Sequence, residues 1–248
     1  MKKVSIIIQA RTDSERFPNK VLELINSKPL LSHVISRCKK TPYSVIVSTT
    51  NREIDKPILE ISKKHDVPYF CGSTNDVLDR FYQTAKKFSI DVIIRVTADC
   101  PLIDPQEIEK VVKPIIMKNF DYAGLDENTY PDGFDCEAFT FNTLEKTWKN
   151  SKLQSEHEHV SPYMKNPDNV FKRIFIPFKK NFSNLRFSVD HQEDLMLIQK
   201  IIDKLNENFS IDDVLEILNE NPELKKINSM HTRNEGYRKS LKNDRLID

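Results

Sequence analysis

Val4-Ser5-Ile6-Ile7-Ile8-Gln9 runs without a break into Ala10-Arg11-Thr12-Asp13-Ser14-Glu15-Arg16-Phe17-Pro18-Asn19-Lys20, and the fold is read from this junction. The apolar, β-branched run is short and ends at a polar break, which predicts a buried strand. The polar stretch after it predicts a loop that leaves the end of that strand with Arg11, Arg16 and Lys20 beside Ser14. A triphosphate needs cationic donors and backbone amides converging on its oxygens. Arginine forks and a lysine point charge supply them without a glycine-rich loop, and the whole chain has only four glycines. The same residues also read as a solvated basic turn.

Outward from this junction, strands and helices alternate. Leu30, Leu31, Val34, Ile35 and Cys38 recur at helical spacing and predict an amphipathic helix over 29–39. Strands follow at 44–49, 68–71 and 91–97, with helices at 54–65, 75–88 and 105–118. Ser73 or Asn75 is a candidate N-cap for the 75–88 helix. This rhythm predicts an α/β fold with a mostly parallel, doubly wound sheet. Ligands of such sheets sit beyond the carboxyl ends of the strands. The loops at 9–20 and 98–104 both leave strands at that edge, so they are expected to share one site.

The second half is less regular. Helices are expected at 141–150, 156–166, 191–205 and 211–218, and strands at 170–178 and 184–189. Residues 130–137 are turn-rich and acidic. Beyond 221 the chain is polar and is expected to pack loosely. One domain over 1–220 results, with an irregular lobe at about 125–182 and an extension at 221–248.

The balance of 38 basic against 37 acidic residues leaves a net charge of +1, which argues against a general nucleic-acid binder. Cys38, Cys71, Cys100 and Cys136 form no CxxC pair, so neither a zinc knuckle nor a disulfide framework is expected, and a reducing cytoplasm fits. The apolar run 4–8 is too short for a signal peptide, and nothing approaches the ~20 apolar residues of a membrane span.

Asp99 ends one predicted strand before Pro101, and Asp190 ends another and opens a helix. Alone, Asp99 reads as a turn cap. Together the two aspartates read as a pair for magnesium, which prefers one or two carboxylates plus phosphate oxygens. Asp104 and Asp194 read as caps or first-turn acids. Glu156-His157-Glu158-His159 is not HExxH and reads as a charged helix start. No DxD motif follows the strand at Asp99, as a glycosyltransferase would need. Asp135-Cys136-Glu137 only approximates one.

The pattern Q-A-R-x-x-S-x-R-x-P-x-K resembles the nucleotide-binding motif of the cytidylyltransferases, among them the CMP-Kdo and CMP-sialic acid synthetases. It is most similar to the spore-coat polysaccharide branch. The resemblance continues through Asp76–Phe81, Arg95–Asp104, Tyr130–Asp135, Ser155–Val160, Ser188–Asp190 and Asn228–Leu241. It implies a nucleotide-diphospho-sugar transferase type of sheet with an acceptor and dimerisation lobe, and a homodimer. It implies CTP as co-substrate, Mg2+ held by Asp99 and Asp190, and an acidic sugar as acceptor, with a phosphorylated or phosphonate acceptor as the alternative. Arg11, Lys20, Asp99 and Asp190 would then be catalytic. Arg11, Ser14 and Lys20 would hold the triphosphate with Arg16 nearby, and Gln9, Ala10 and Arg80 would surround the base. Arg95, Tyr130, Asp132, Asp135, Glu156 and His159 would bind the acceptor, although Arg95 also reads as the partner of an acid. The branch usually has glycines where this chain has Asp13 and Asn19, and arginine where it has His157. A non-catalytic nucleotide-binding protein remains a separate possibility.

Overall fold

A computed structural model describes residues 2–247. In chain order the strands are β1 (Val4–Gln9), β2 (Leu24–Ile25), β3 (Lys28–Pro29), β4 (Ser44–Thr50), β5 (Tyr69–Gly72), β6 (Val92–Thr97), β7 (Tyr122–Leu125), β8 (Glu137–Thr140) and β9 (Arg173–Ile176). The helices are α1 (Leu30–Cys38), α2 (Lys56–Lys64), α3 (Val77–Lys87), α4 (Pro105–Met117), α5 (Phe141–Asn150), α6 (Gln154–His159), α7 (Pro162–Lys165), α8 (Gln192–Ile202), α9 (Ile211–Glu220) and α10 (Glu235–Lys242).

Alternation along β1 explains why the sheet is covered twice. Ile6 and Ile8 pack into one core with side chains of α1, α2, α4, α8 and α9, while Ile7 joins Ile46, Ile93 and the apolar face of α3 in a second. A buried strand has no polar face, so β1 is apolar on both sides. The main sheet has seven strands in the order β5-β4-β1-β6-β8-β7-β9. β5, β4, β1 and β6 run parallel, and β8 runs antiparallel to both β6 and β7. The parallel order reverses at β1, where β4 lies on one side and β6 on the other. Loops leaving β1 and β6 therefore open into one crevice.

Local chemistry sets the helix starts around that crevice. Asp76, and not the expected Ser73 or Asn75, accepts from the Asp79 amide to cap α3, and Asp104 accepts from Gln106 to cap α4, whose first residue is Pro105.

Four further expectations differ from the structure. β7 and β8 lie outside the expected strands. Each is four residues long, and Ala123, Gly124, Glu137 and Ala138 carry little strand signal. The expected strand at 184–189 makes only an isolated bridge, Asp132 to Arg186. Its amides turn to different segments, Phe187 N donating to Asp132 and Val189 N to Asp99, so no ladder develops. The expected helix at 156–166 is broken in two between α6 and α7. Val160 takes a left-handed φ of 68° and Pro162 follows. The extension beyond 221 is not loose but tied across the site: Asn228 bonds Asp194, Lys239 pairs with Glu15, and Ser155 bonds Asp244.

Candidate active site

The loop after β1 is held shut by its own backbone. Asn19 N and Ser14 N both donate to the Thr12 carbonyl, at 2.7 and 3.0 Å. Thr12 N and Oγ1 both donate to the buried Asp55 carboxylate, at 2.8 and 2.7 Å. Asn19 adopts φ 61°, a conformation that asparagine tolerates better than most residues. It does what a glycine would do, and Lys20 is turned inward. Asp13 does not burden the site with free charge, because Arg52 pairs with it and Arg11 lies 3.6 Å away.

Lys20 Nζ lies 2.7 Å from Asp99 Oδ2 and 2.7 Å from Asp190 Oδ1. Arg16 reaches the same Asp190 oxygen at 2.8 Å. Val189 N donates to the Asp99 carbonyl at 2.9 Å, so backbone as well as charge joins the two aspartates. Burial would lower the Lys20 pKa, but Asp99 and Asp190 override it and the net shift is upward. Burial would raise both aspartates, but Lys20 overrides it and holds Asp99 and Asp190 below the ordinary range. All three groups are therefore charged at neutral pH.

Arg186, which the sequence reading missed, is the hub behind this centre. Its guanidinium donates to Asp194 (3.1 Å), Asp132 (3.1 Å), Asp190 (2.7 Å) and the Thr232 carbonyl (3.0 Å). Asp194 has the expected capping role, accepting from the Asp190 and His191 amides, and it also anchors Arg186. Asp132 accepts further from Ser188. Its pKa is pushed up to about 7 by burial and by Asp135, despite Arg186. Only the four-residue step from Arg186 to Asp190 could have betrayed the hub in the sequence.

The other expected site residues separate into groups. Gln9 accepts from Arg95 Nε at 3.0 Å, and Arg95 pairs with Glu137 at 2.6 Å. Arg95 is thus the partner of a buried acid and not a free acceptor ligand. Lys165 and Arg95 outweigh burial and lower the Glu137 pKa to about 2. Arg80 is 1% exposed. It donates to the Ser73 carbonyl, while its Nε has no partner. Arg11 is half exposed, and Ser14 Oγ accepts from Phe17 N at 3.4 Å.

Tyr130 and Glu156 are corrected to structural roles. Tyr130 is fully buried and donates to Glu107 at 2.7 Å, and Glu156 accepts the Lys152 and Leu153 amides at the start of α6. His157 faces Asp76 at 2.8 Å. His159 lies 2.9 Å from the Ser240 hydroxyl and packs edge-on against Tyr237, so the extension covers it. Burial, with Arg95, Lys165 and Arg11, lowers the His159 pKa to about 4. Folded His159 is thus neutral where the unfolded chain would bind a proton. Stability is expected to fall as pH drops from about 6.5 toward 4. His159→Gln should flatten that slope in urea titrations run at several pH values.

His191, His231 and Glu235 bring ligand atoms within 4.8 Å of one another. The two imidazole rings are stacked 3.8 Å apart with planes 3° from parallel, so their in-plane lone pairs cannot meet at one ion. Instead they bond Glu235 and Glu193 and pin the extension to α8.

A doubly wound sheet with a cationic loop and two aspartates at its switch point defines a nucleotidyltransferase of the nucleotide-diphospho-sugar transferase fold. The family described as Cytidylyltransferase matches residues 5–231. The chain is 33% identical to a solved cytidylyltransferase from Leptospira borgpetersenii, with a TM-score of 0.87 over 91% of this chain and 97% of that one. It is 27% identical to the spore coat polysaccharide biosynthesis protein SpsF of Bacillus subtilis, over 90% of this chain and 97% of that one. It is 31% identical to the 3-deoxy-manno-octulosonate cytidylyltransferase of Geobacter metallireducens, over 46% of this chain and 45% of that one. The chain belongs to the cytidylyltransferase family and is an enzyme of nucleotidyl transfer.

Proposed function

We propose that this enzyme transfers CMP from CTP to an acidic sugar and releases pyrophosphate, in the assembly of a surface polysaccharide or glycan. The observation that carries the reading is the buried Lys20 ammonium between Asp99 and Asp190, with Arg16 beside them, at the mouth of β1 and β6. Arg11, Ser14, Arg16 and Lys20 would take the phosphates as Lys20 exchanges carboxylate for phosphate oxygens. Gln9, Ala10 and the buried, half-satisfied Arg80 would enclose the base.

The donor set fits magnesium. Two ionised carboxylates meet at one point that already holds a cation, and the remaining ligands would be phosphate oxygens and water. Asp99 and Asp190 would hold the ion, which supplies charge neutralisation on the triphosphate. An acceptor oxygen attacks the α-phosphorus, the bond to the β-phosphate oxygen breaks, and pyrophosphate leaves. The acceptor proton passes to solvent or a nearby carboxylate. Fixed cations and in-line positioning do most of the work. Asp132 and Asp135 line the acceptor side. A homodimer through the lobe is part of this reading. Val170 and Phe175, on and beside the edge strand β9, are exposed there, and light scattering should give twice the chain mass.

The test is pyrophosphate release with Mg2+, comparing CTP, UTP, ATP and GTP against acid sugars, sugar phosphates and phosphonates. Release that needs CTP and an acid sugar is expected. Release with CTP and only a phosphorylated acceptor would move the substrate class, and no binding of CTP would overturn the reading.

A further inference from the structure

Arg233 of the extension is held in an unfinished arrangement. Its Nη1 donates to the carbonyls of Glu127 (2.8 Å) and Tyr130 (2.7 Å), which fixes the plane of the guanidinium against the lobe. Its Nη2 pairs with the Asp135 carboxylate, while the buried Nε has no partner. A buried donor left unpaired is uncommon and calls for an explanation. The Nε and Nη2 edge is a fork that a carboxylate can fill with both oxygens, and Asp135 fills it with one. Asp135 spends its other oxygen on the Gly133 amide, and its side chain is 41% exposed against 13% for Arg233.

Arg233 is also wired to the reacting centre. The preceding carbonyl, of Thr232, accepts from Arg186, whose Nη2 holds Asp190. Glu235 bonds the Thr232 amide and His191. A Cβ on Gly236 would stand 3.1 Å from an Arg16 nitrogen, so the start of α10 lies against the phosphate loop. The extension thus joins the loop, the metal-type aspartates and the lobe.

We infer that Arg233 is a specificity-determining residue that binds the carboxylate of the acceptor through its Nε and Nη2 edge, with Asp135 standing in for that carboxylate until the acceptor arrives. The inference rests on the acid-sugar reading of this site. The incoming carboxylate completes the fork, and the displaced Asp135 turns to water, which it already meets.

The experiment measures CMP transfer to 3-deoxy-manno-octulosonate and to N-acetylneuraminate by the full chain, Arg233→Ala, Arg233→Lys and Asp135→Ala, with circular dichroism to confirm folding. Arg233→Ala should raise the acceptor KM at least tenfold and leave the CTP KM within about twofold. Arg233→Lys should restore only part of this, because lysine cannot fork. Asp135→Ala frees the fork and should lower the acceptor KM, the opposite sign from loss of Arg233. Equal rises in both KM values for Arg233→Ala would overturn the inference, as would a rise for Asp135→Ala matching that of Arg233→Ala. Transfer that Arg233→Ala leaves untouched defeats this inference alone. No transfer to either sugar by the unaltered protein defeats the acid-sugar reading and this inference with it.

Discussion

Asp99→Asn is expected to lower the turnover number for CMP transfer by about 10²–10³-fold, the order of effect seen when one preorganised charge-stabilising group is removed from a site. The substitution keeps the shape of the side chain and the Val189 bond to the Asp99 backbone carbonyl. What it removes is one of the two charges that meet at Lys20. In the proposed magnesium site a divalent cation would then have one charged protein ligand instead of two, and Lys20 would be drawn more firmly to Asp190. Steady-state pyrophosphate release across a magnesium titration separates the two consequences. Loss of the ion's ligand should raise the magnesium requirement as well as lower the plateau. An unchanged plateau would remove Asp99 from the reacting centre.

Arg186→Met should cost stability rather than chemistry alone, by about 3–5 kcal/mol, the loss typical of breaking a buried ion pair from one side. Asp194 is fully buried, Asp132 nearly so, and both lose this cation, while Asp190 keeps Lys20 and Arg16. The deficit should depend on pH, and its sign follows from Asp132. The folded pKa of Asp132, about 7, lies above its ordinary 3.8. The unfolded chain therefore releases this proton first, and stability falls as pH rises from about 4 to 7. Without Arg186 the folded pKa rises further, so the deficit should be larger at pH 8 than at pH 6. Urea unfolding at the two pH values measures it. A deficit below 1 kcal/mol at both would show that Arg186 is not the keystone of this network.

These two residues mark different degrees of legibility. Asp99 could be found in the sequence because it follows a predicted strand at the edge where ligands bind, and proline directs the chain outward. The cationic loop was equally plain, since Arg11, Arg16 and Lys20 cluster directly after a buried strand. Lys20 reads in the sequence as a phosphate ligand, and only the structure adds the two carboxylates that hold it. Arg186 lies in a stretch read as a strand. There, a bonding partner more than fifty residues away, at Asp132, decides what the backbone does.

The sequence by itself determined the α/β layering, because strand and helix periods are local and each apolar run reports its own burial. It also determined that the loops after β1 and β6 share a mouth, since parallel order puts strand ends together. Only the tertiary structure decided the rest. β8 forms because β6 offers an edge for pairing and β7 because β8 extends that edge, and their own residues carry little of that tendency. Tyr130 and Glu156 left the acceptor set because burial and capping claim their polar atoms. The extension became part of the site because Arg233, Glu235 and Lys239 find partners about a hundred, forty and two hundred residues back along the chain. Pairings at that range depend on where the folded chain sets each charge, which neither composition nor local period records.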